Sequence, residues 1–116
     1  MPKNSRAKGA RGERELSSKL KEYGFNTRRG QQYCGANGDA DVVGLQGIHI
    51  ECKRVEKLNI YNALKQAEND KKQDEIAVVM HRKDREQWLV TMDFDDWIKM
   101  YNESKAELLL TMDLDK

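Results

Sequence analysis

The chain has 116 residues but only one proline and two cysteines. Scarce proline and few low-complexity stretches argue against a disordered chain. Cys34 and Cys52 are too few and too far apart for a disulfide framework. No apolar run approaches the length of a membrane span, and no signal-peptide core follows the N-terminus. These absences point away from a membrane or secreted class and toward a cytoplasmic protein. Cys34, Cys52, His49 and His81 also lack the Cys-x-x-Cys spacing of a zinc site.

What is present is charge: 35% of the residues are Asp, Glu, Lys or Arg, against 38% hydrophobic. The length fits one domain with a modest core. The net charge of +1 hides an asymmetry. Residues 1–30 hold nine Lys/Arg and three Glu, whereas residues 31–116 hold twelve Lys/Arg and seventeen Asp/Glu. A basic N-terminal segment on an acidic body suits contact with phosphates.

Residues 1–8 read as a basic flexible arm, 9–103 as the folded domain and 104–116 as an apolar tail able to pair as a strand or contact a partner subunit. Leu16, Leu20 and Tyr23 share one stripe of a helix starting near Gly9, and Gly24 fits its C-terminal stop. "FNTRR" reads as a short strand and "GQQYCGANGD" as a loop, with Asp39 serving turn chemistry. Two strands at about 40–44 and 48–53 form a hairpin. Asn59 caps a helix to about Lys72, "EIAVVMH" reads as a strand buried on both faces, and "QWLVTM" is a further strand. Asp93 caps a last helix, with Asp96 at the third position. Tyr61, Leu64 and the stripe of Phe94, Trp97, Ile98 and Tyr101 read as core. The order α-β-β-β-α-β-β-α predicts an α/β domain: a mixed central sheet of about five strands flanked by helices.

The hairpin "GDADVVGLQGIHIECKR" places carboxylates where a plain hairpin gains nothing from them. Strand alternation puts Ile48, Ile50 and Cys52 on one face and His49, Glu51 and Lys53 on the other. Asp41 falls opposite Ile50 or Glu51, depending on the turn. In the second register two carboxylates sit about 5 Å apart, which destabilises the pair unless a cation lies between them. Carboxylate oxygens, a backbone carbonyl and water are hard ligands that suit Mg²⁺ or Mn²⁺. On the first helix Glu13 lies about 60° from Leu16 and 20° from Leu20 at ~100° per residue, so it faces the sheet. Glu13 can pair with Arg29 or join the carboxylates. Glu15 and Glu22 fall on the opposite side as solvated charges. His49 reads as a satisfied sheet histidine.

These residues resemble the Asp–Glu-x-Lys nuclease superfamily, and most closely the archaeal-type Holliday-junction resolvases. The matching features are Asp41, nine intervening residues, then Glu51-Cys52-Lys53. "GARGERELSSKLKEYGF" supplies Gly9, Glu13, Arg14, Glu15, Leu16 and Gly24-Phe25 of that family's opening helix, with Arg29 shortly after. The likeness covers about residues 9–53 well. It implies a restriction-endonuclease-like domain and a metal-dependent endodeoxyribonuclease acting on branched or four-way DNA as a homodimer. It implies Asp41, Glu51 and the Cys52 carbonyl as ligands of Mg²⁺, with Mn²⁺ as substitute. Lys53 would act beside the attacking water, and Glu13 would hold a second ion or orient water. Arg6, Lys8, Arg11, Arg14, Arg28 and Arg29 would bind DNA. Gln66 resembles a glutamine that some of these nucleases place near the metal. By analogy the protein fits a bacterial or phage-infected cell. The alternatives are a same-fold nuclease for duplex, flap or single-stranded DNA, and a non-catalytic nucleic-acid-binding module.

Overall fold

A computed structural model of the protein describes residues 2–31 and 40–114, with side chains described over 9–31 and 40–112. Asp39, Tyr33 and Cys34 lie outside the described residues, as do the side chains of Arg6 and Lys8.

Helix α1 spans Pro2–Lys21. It therefore begins well before Gly9 and runs back through the expected arm. Proline is tolerated in a first helical turn, where its missing N–H would have no partner anyway. α1 buries Leu16 and Ser17. Gly24 stops it as expected: its φ of +93° lies in the left-handed region, and its N–H donates to the Lys21 carbonyl at 2.9 Å. Tyr23 falls beyond the helical stripe and is exposed, not core.

Strand β1 is only Arg28–Arg29, shorter than "FNTRR" suggests. Thr27 is drawn into a buried lock with α1 instead. Its hydroxyl donates to the Ser17 carbonyl at 2.8 Å and accepts from the Ser17 hydroxyl at 3.1 Å. β2 is Val42–Val43 and β3 is Ile48–Arg54, joined through Gly44 and Gly47. A Cβ on Gly44 would lie 2.5 Å from the Asn26 carbonyl oxygen, and its φ is +130°. Only glycine lets the chain pass there.

Helix α2 spans Ile60–Asp70, with the Asn59 side chain accepting from the Asn62 N–H at 3.1 Å. β4 (Ile76–Arg82) and β5 (Leu89–Met92) follow. α3 spans Phe94–Leu114 and starts with the Asp96 N–H donating to Asp93 Oδ1 at 3.2 Å. The apolar tail is therefore helix, continuous with the last predicted one. Alanine, leucine, glutamate and lysine are strong helix formers, and nothing near residue 104 breaks the run.

The five strands form one mixed sheet in the order β1-β2-β3-β4-β5. β3 and β4 are parallel, with α2 as the crossover, and the other pairs are antiparallel. On one face Leu16 of α1 packs on Val42, Ile50, Cys52, Val78 and Met80. On the other, Ala63 and Ala67 of α2 pack on Ala77 and Val79. β4 is thus buried on both faces, as its unbroken apolar sequence predicts. The expected aromatic core does not form: Tyr61 is 78% exposed, Phe94 73% and Trp97 48%. α3 leaves the sheet rather than lying on it, and α2 meets the sheet through alanines.

Candidate active site

β3 carries the chemistry because it sits mid-sheet, with α1 over one face and α2 under the other. Glu51 is buried, 5% exposed, on the α2 face. Lys53 lies two residues on, and its Nζ is 3.5 Å from Glu51 Oε2.

Asp41 reaches this strand from β2. Val42 lies across from Ile50, and the Asp41 N–H also donates to the Ile50 carbonyl at 3.0 Å. Two residues of one chain thus address one of the other, the count of a β-bulge, which re-aims side chains at sheet edges and sites. Of the two predicted registers, Asp41 takes the one at Ile50. Its carboxylate still comes over β3: Oδ2 accepts from the Cys52 N–H at 2.8 Å. The alternation that turns the Ile50 carbonyl toward β2 turns the Cys52 carbonyl the same way.

The electrostatics follow from burial. Burial raises the Asp41 pKa and Glu13 adds to the rise, against the Cys52 N–H, Lys53 and His49, which lower it. Glu51 is pushed up to about 7, first by burial, then by the Asp41 charge; Lys53 opposes this. The Cys52 thiol is raised out of reach of neutral pH, first by burial and then by the charges of Asp41 and Glu13. Cys52 is a core thiol, and its backbone N–H is what bonds the Asp41 carboxylate.

Glu13 faces the sheet as the helix geometry predicts. Its Oε1 accepts from Arg29 Nε at 2.9 Å while its charge bears on Asp41. Of the two predicted options for Glu13, the pair with Arg29 is formed. Arg11, Arg14, Arg28 and Arg29 are exposed on α1 and β1. Gln66 is exposed on α2 and makes no side-chain hydrogen bond among the described residues. His49 is buried, with Nδ1 3.6 Å from Glu75 Oε1. No group of three or more His, Cys, Asp or Glu side chains gathers at ligating distance among the described residues.

Three residues escape a reading by sequence. Asp70, at the end of α2, adds its charge to the rise of the Glu51 pKa. It lines a cleft of about 390 Å³ with His49 and Glu75. Glu15 is not a solvated charge: it bonds Arg54 and Arg82 at the ends of β3 and β4. Arg54 also meets Asp84 at 2.9 Å. Gly12 makes room for this joint, since a Cβ there would lie 2.6 Å from Arg54 Cβ. The Gly12–Glu15 spacing on one helix face was the available signal.

A small α/β domain with three helices and a mixed five-strand sheet is a restriction-endonuclease-like fold. Residues 4–96 match the family described as archaeal Holliday junction resolvase, and the chain belongs to that family. No curated protein and no solved structure matches the chain. Among the described residues no helix is long and apolar enough to cross a membrane.

Proposed function

We propose that the protein is a divalent-metal-dependent endodeoxyribonuclease that hydrolyses phosphodiester bonds in branched DNA, with the four-way junction as preferred substrate. The observation that carries this reading is the Asp41–Glu51 pair. Two carboxylates share a part-buried site, each raised by burial and by a neighbouring acid, with Lys53 as the near cation. Such a pair costs stability unless a further positive charge joins it.

The donor set fits Mg²⁺ or Mn²⁺. It offers two carboxylates and the Cys52 carbonyl, all oxygen, and leaves the remaining positions to water and phosphate, as Mg²⁺ sites commonly do. When bound, the ion supplies Lewis acidity and charge neutralisation at the phosphoryl group. Asp41 is oriented by the Cys52 N–H, and Glu51 by Lys53. Lys53 places a fixed positive charge beside the attacking water and the developing negative charge. Glu13 holds the Arg29 guanidinium at the sheet edge, where it grips a phosphate. Arg11, Arg14 and Arg28 extend that grip, with Arg6 and Lys8 nearer the N-terminus. The enzyme works as a homodimer in the cytoplasm, two sites cutting opposed strands of a symmetric junction.

The test compares cleavage of a labelled four-way junction, a flap and a linear duplex, with Mg²⁺ or with chelator. Junction cleavage that needs Mg²⁺ is expected. Equal cutting of linear duplex would remove the junction preference. Absence of divalent-dependent cutting of every substrate would leave a binding module. Junction affinity should fall steeply with salt, by a log–log slope of about −0.9 per phosphate contacted.

A further inference from the structure

The turn that ends α1 carries a surface that the metal site does not use. Residues 21–26 are all exposed, between the part-buried Leu20 and the buried Thr27. Two of them are aromatic: Tyr23 is 71% exposed and Phe25 46%. The backbone beneath them is fixed. The Tyr23 N–H donates to the Leu20 carbonyl at 3.0 Å, Gly24 to Lys21 at 2.9 Å, and Phe25 back to Leu20 at 3.4 Å. The Thr27–Ser17 lock holds the exit from the turn. Phe25 follows the left-handed Gly24, where a helix stop of this kind usually packs an apolar side chain back on its helix. Here the ring stays about half open. An aromatic side chain offers roughly 150–250 Å², so two open rings on one rigid turn leave a large contact area in water.

The surroundings of the rings say what fits them. Between residues 19 and 29 the chain carries four cations, Lys19, Lys21, Arg28 and Arg29, and one acid, Glu22. Lys19 Nζ lies 3.7 Å from Glu22 Oε1 and 6.0 Å from the centroid of the Tyr23 ring. The single acid is thus met within the turn, and the patch as a whole is cationic. Exposed rings interleaved with cations are the composition of a single-strand nucleic-acid surface: bases stack on the rings, and lysines and arginines follow the backbone. The patch also adjoins the phosphate grip. Arg29, held by Glu13, is four residues from Phe25, so at most about 14 Å away at ~3.3–3.6 Å per residue. That is about four steps of a stacked strand at ~3.4 Å each.

Base faces are open only where stacking is broken. Inside a continuous duplex each base is covered by its neighbours. A branch point or a single strand leaves a face uncovered. We propose that Tyr23 and Phe25 form a stacking site for such an unpaired or branch-point nucleobase, with Lys21 and Arg28 holding the flanking phosphates. The site lets the chain tell broken stacking from continuous duplex at a distance from the metal. This role rests on DNA being the substrate, not on cutting, so it is read without cutting.

Fluorescence anisotropy of the full chain, in chelator so that no strand is cut, measures affinity for two labelled probes. One is a short single-stranded oligonucleotide. The other is a duplex closed at both ends by non-nucleotide linkers, which offers no open base face. Tyr23→Ala should weaken the single strand about tenfold, the loss of one stacking contact, and change the closed duplex by less than about twofold. Tyr23→Phe keeps the ring and should bind as wild type does. Phe25→Leu keeps an apolar side chain against α1, removes the ring face and should weaken the single strand several-fold. Circular dichroism checks that each variant stays folded. Single-strand binding that Tyr23→Ala leaves unchanged overturns the proposal and gives the patch to a protein partner. So does an equal loss on the closed duplex, a Tyr23→Phe protein as weak as Tyr23→Ala, or a wild type that binds neither probe. A chain that grips single strands through Tyr23 yet cuts nothing removes the nuclease reading and leaves this site standing.

Discussion

Glu15 and Glu51 are close in type and setting, yet they live differently. Each packs between a helix and the central strands. Glu15 has two guanidinium partners, Arg54 and Arg82, and ties α1 to the ends of β3 and β4. Glu51 has one lysine at 3.5 Å and a second acid, Asp41, close enough to raise its pKa. The first acid is neutralised by the fold itself. The second is left short of positive charge, which is the state of a group waiting for a ligand. The difference lies in the partners, since both are glutamates on ordered elements.

The comparison breaks most visibly at the under-neutralised pair. Asp41→Asn or Glu51→Gln should lower cleavage by roughly 10³-fold or more, an effect of about 4 kcal/mol on the barrier. DNA binding should persist. A variant that still cuts within tenfold of wild type removes these carboxylates from the chemistry.

The same substitution should act on stability in the opposite sense. Glu51 titrates near 7 in the folded protein, against 4.5 for the free group. Between those values the native state holds more protons than the unfolded state, so stability falls as pH rises from about 4.5 to 7. The full shift corresponds to about 3 kcal/mol. Glu51→Gln removes that penalty, so its Tm should exceed wild type at pH 8 and match it near pH 4. Mg²⁺ should raise the wild-type Tm at pH 8 and far less at pH 5, because it needs the deprotonated acids. Thermal melts across pH with and without Mg²⁺ decide both points; a wild-type Tm that does not fall between pH 5 and 8 contradicts the strained pair.

How much of this was readable from the chain depends on whether the cause is local. Alternation put Glu51 and Lys53 on one face, helix geometry turned Glu13 to the sheet, and the unbroken apolar run of β4 announced burial on both sides. The caps at Asn59 and Asp93 are equally local. The bulge at Asp41 was not legible, since two-against-one pairing depends on how β2 meets β3. Glu15 was misjudged because its arginines lie 39 and 67 residues away. The aromatics of α3 have core spacing, but whether a helix turns back onto its own sheet is not written in its periodicity.

Gly12→Ala is the next smaller test. A Cβ 2.6 Å from Arg54 Cβ cannot be relieved by swinging a side-chain tip, since both atoms are fixed to backbone. Pushing α1 off β3 should cost roughly 1–3 kcal/mol, as overpacking does. Because Arg54 adjoins Lys53 on β3, cleavage should fall severalfold as well. Chemical denaturation reads the first effect. An unchanged midpoint means that α1 sits farther from β3 than this contact requires.

Glu15→Gln should have the smallest effect and says most about the comparison. It keeps the shape and removes the charge, leaving Arg54 with Asp84 and Glu56 and Arg82 with the Glu86 carbonyl. Arg54 retains Asp84 at 2.9 Å, so it is not stranded. The Glu15 side chain is 38% exposed, so solvent screens much of the lost attraction. The loss should be about 1 kcal/mol, a Tm lower by roughly 4 °C. Cleavage per folded molecule should stay within about twofold, because no part of this joint touches the phosphate being cut. Junction cleavage measured well below the variant's Tm separates the two effects. If Glu15→Gln abolished cleavage while its Tm held, the neutralised acid and the strained pair would belong to one site, and the division drawn between them would fall.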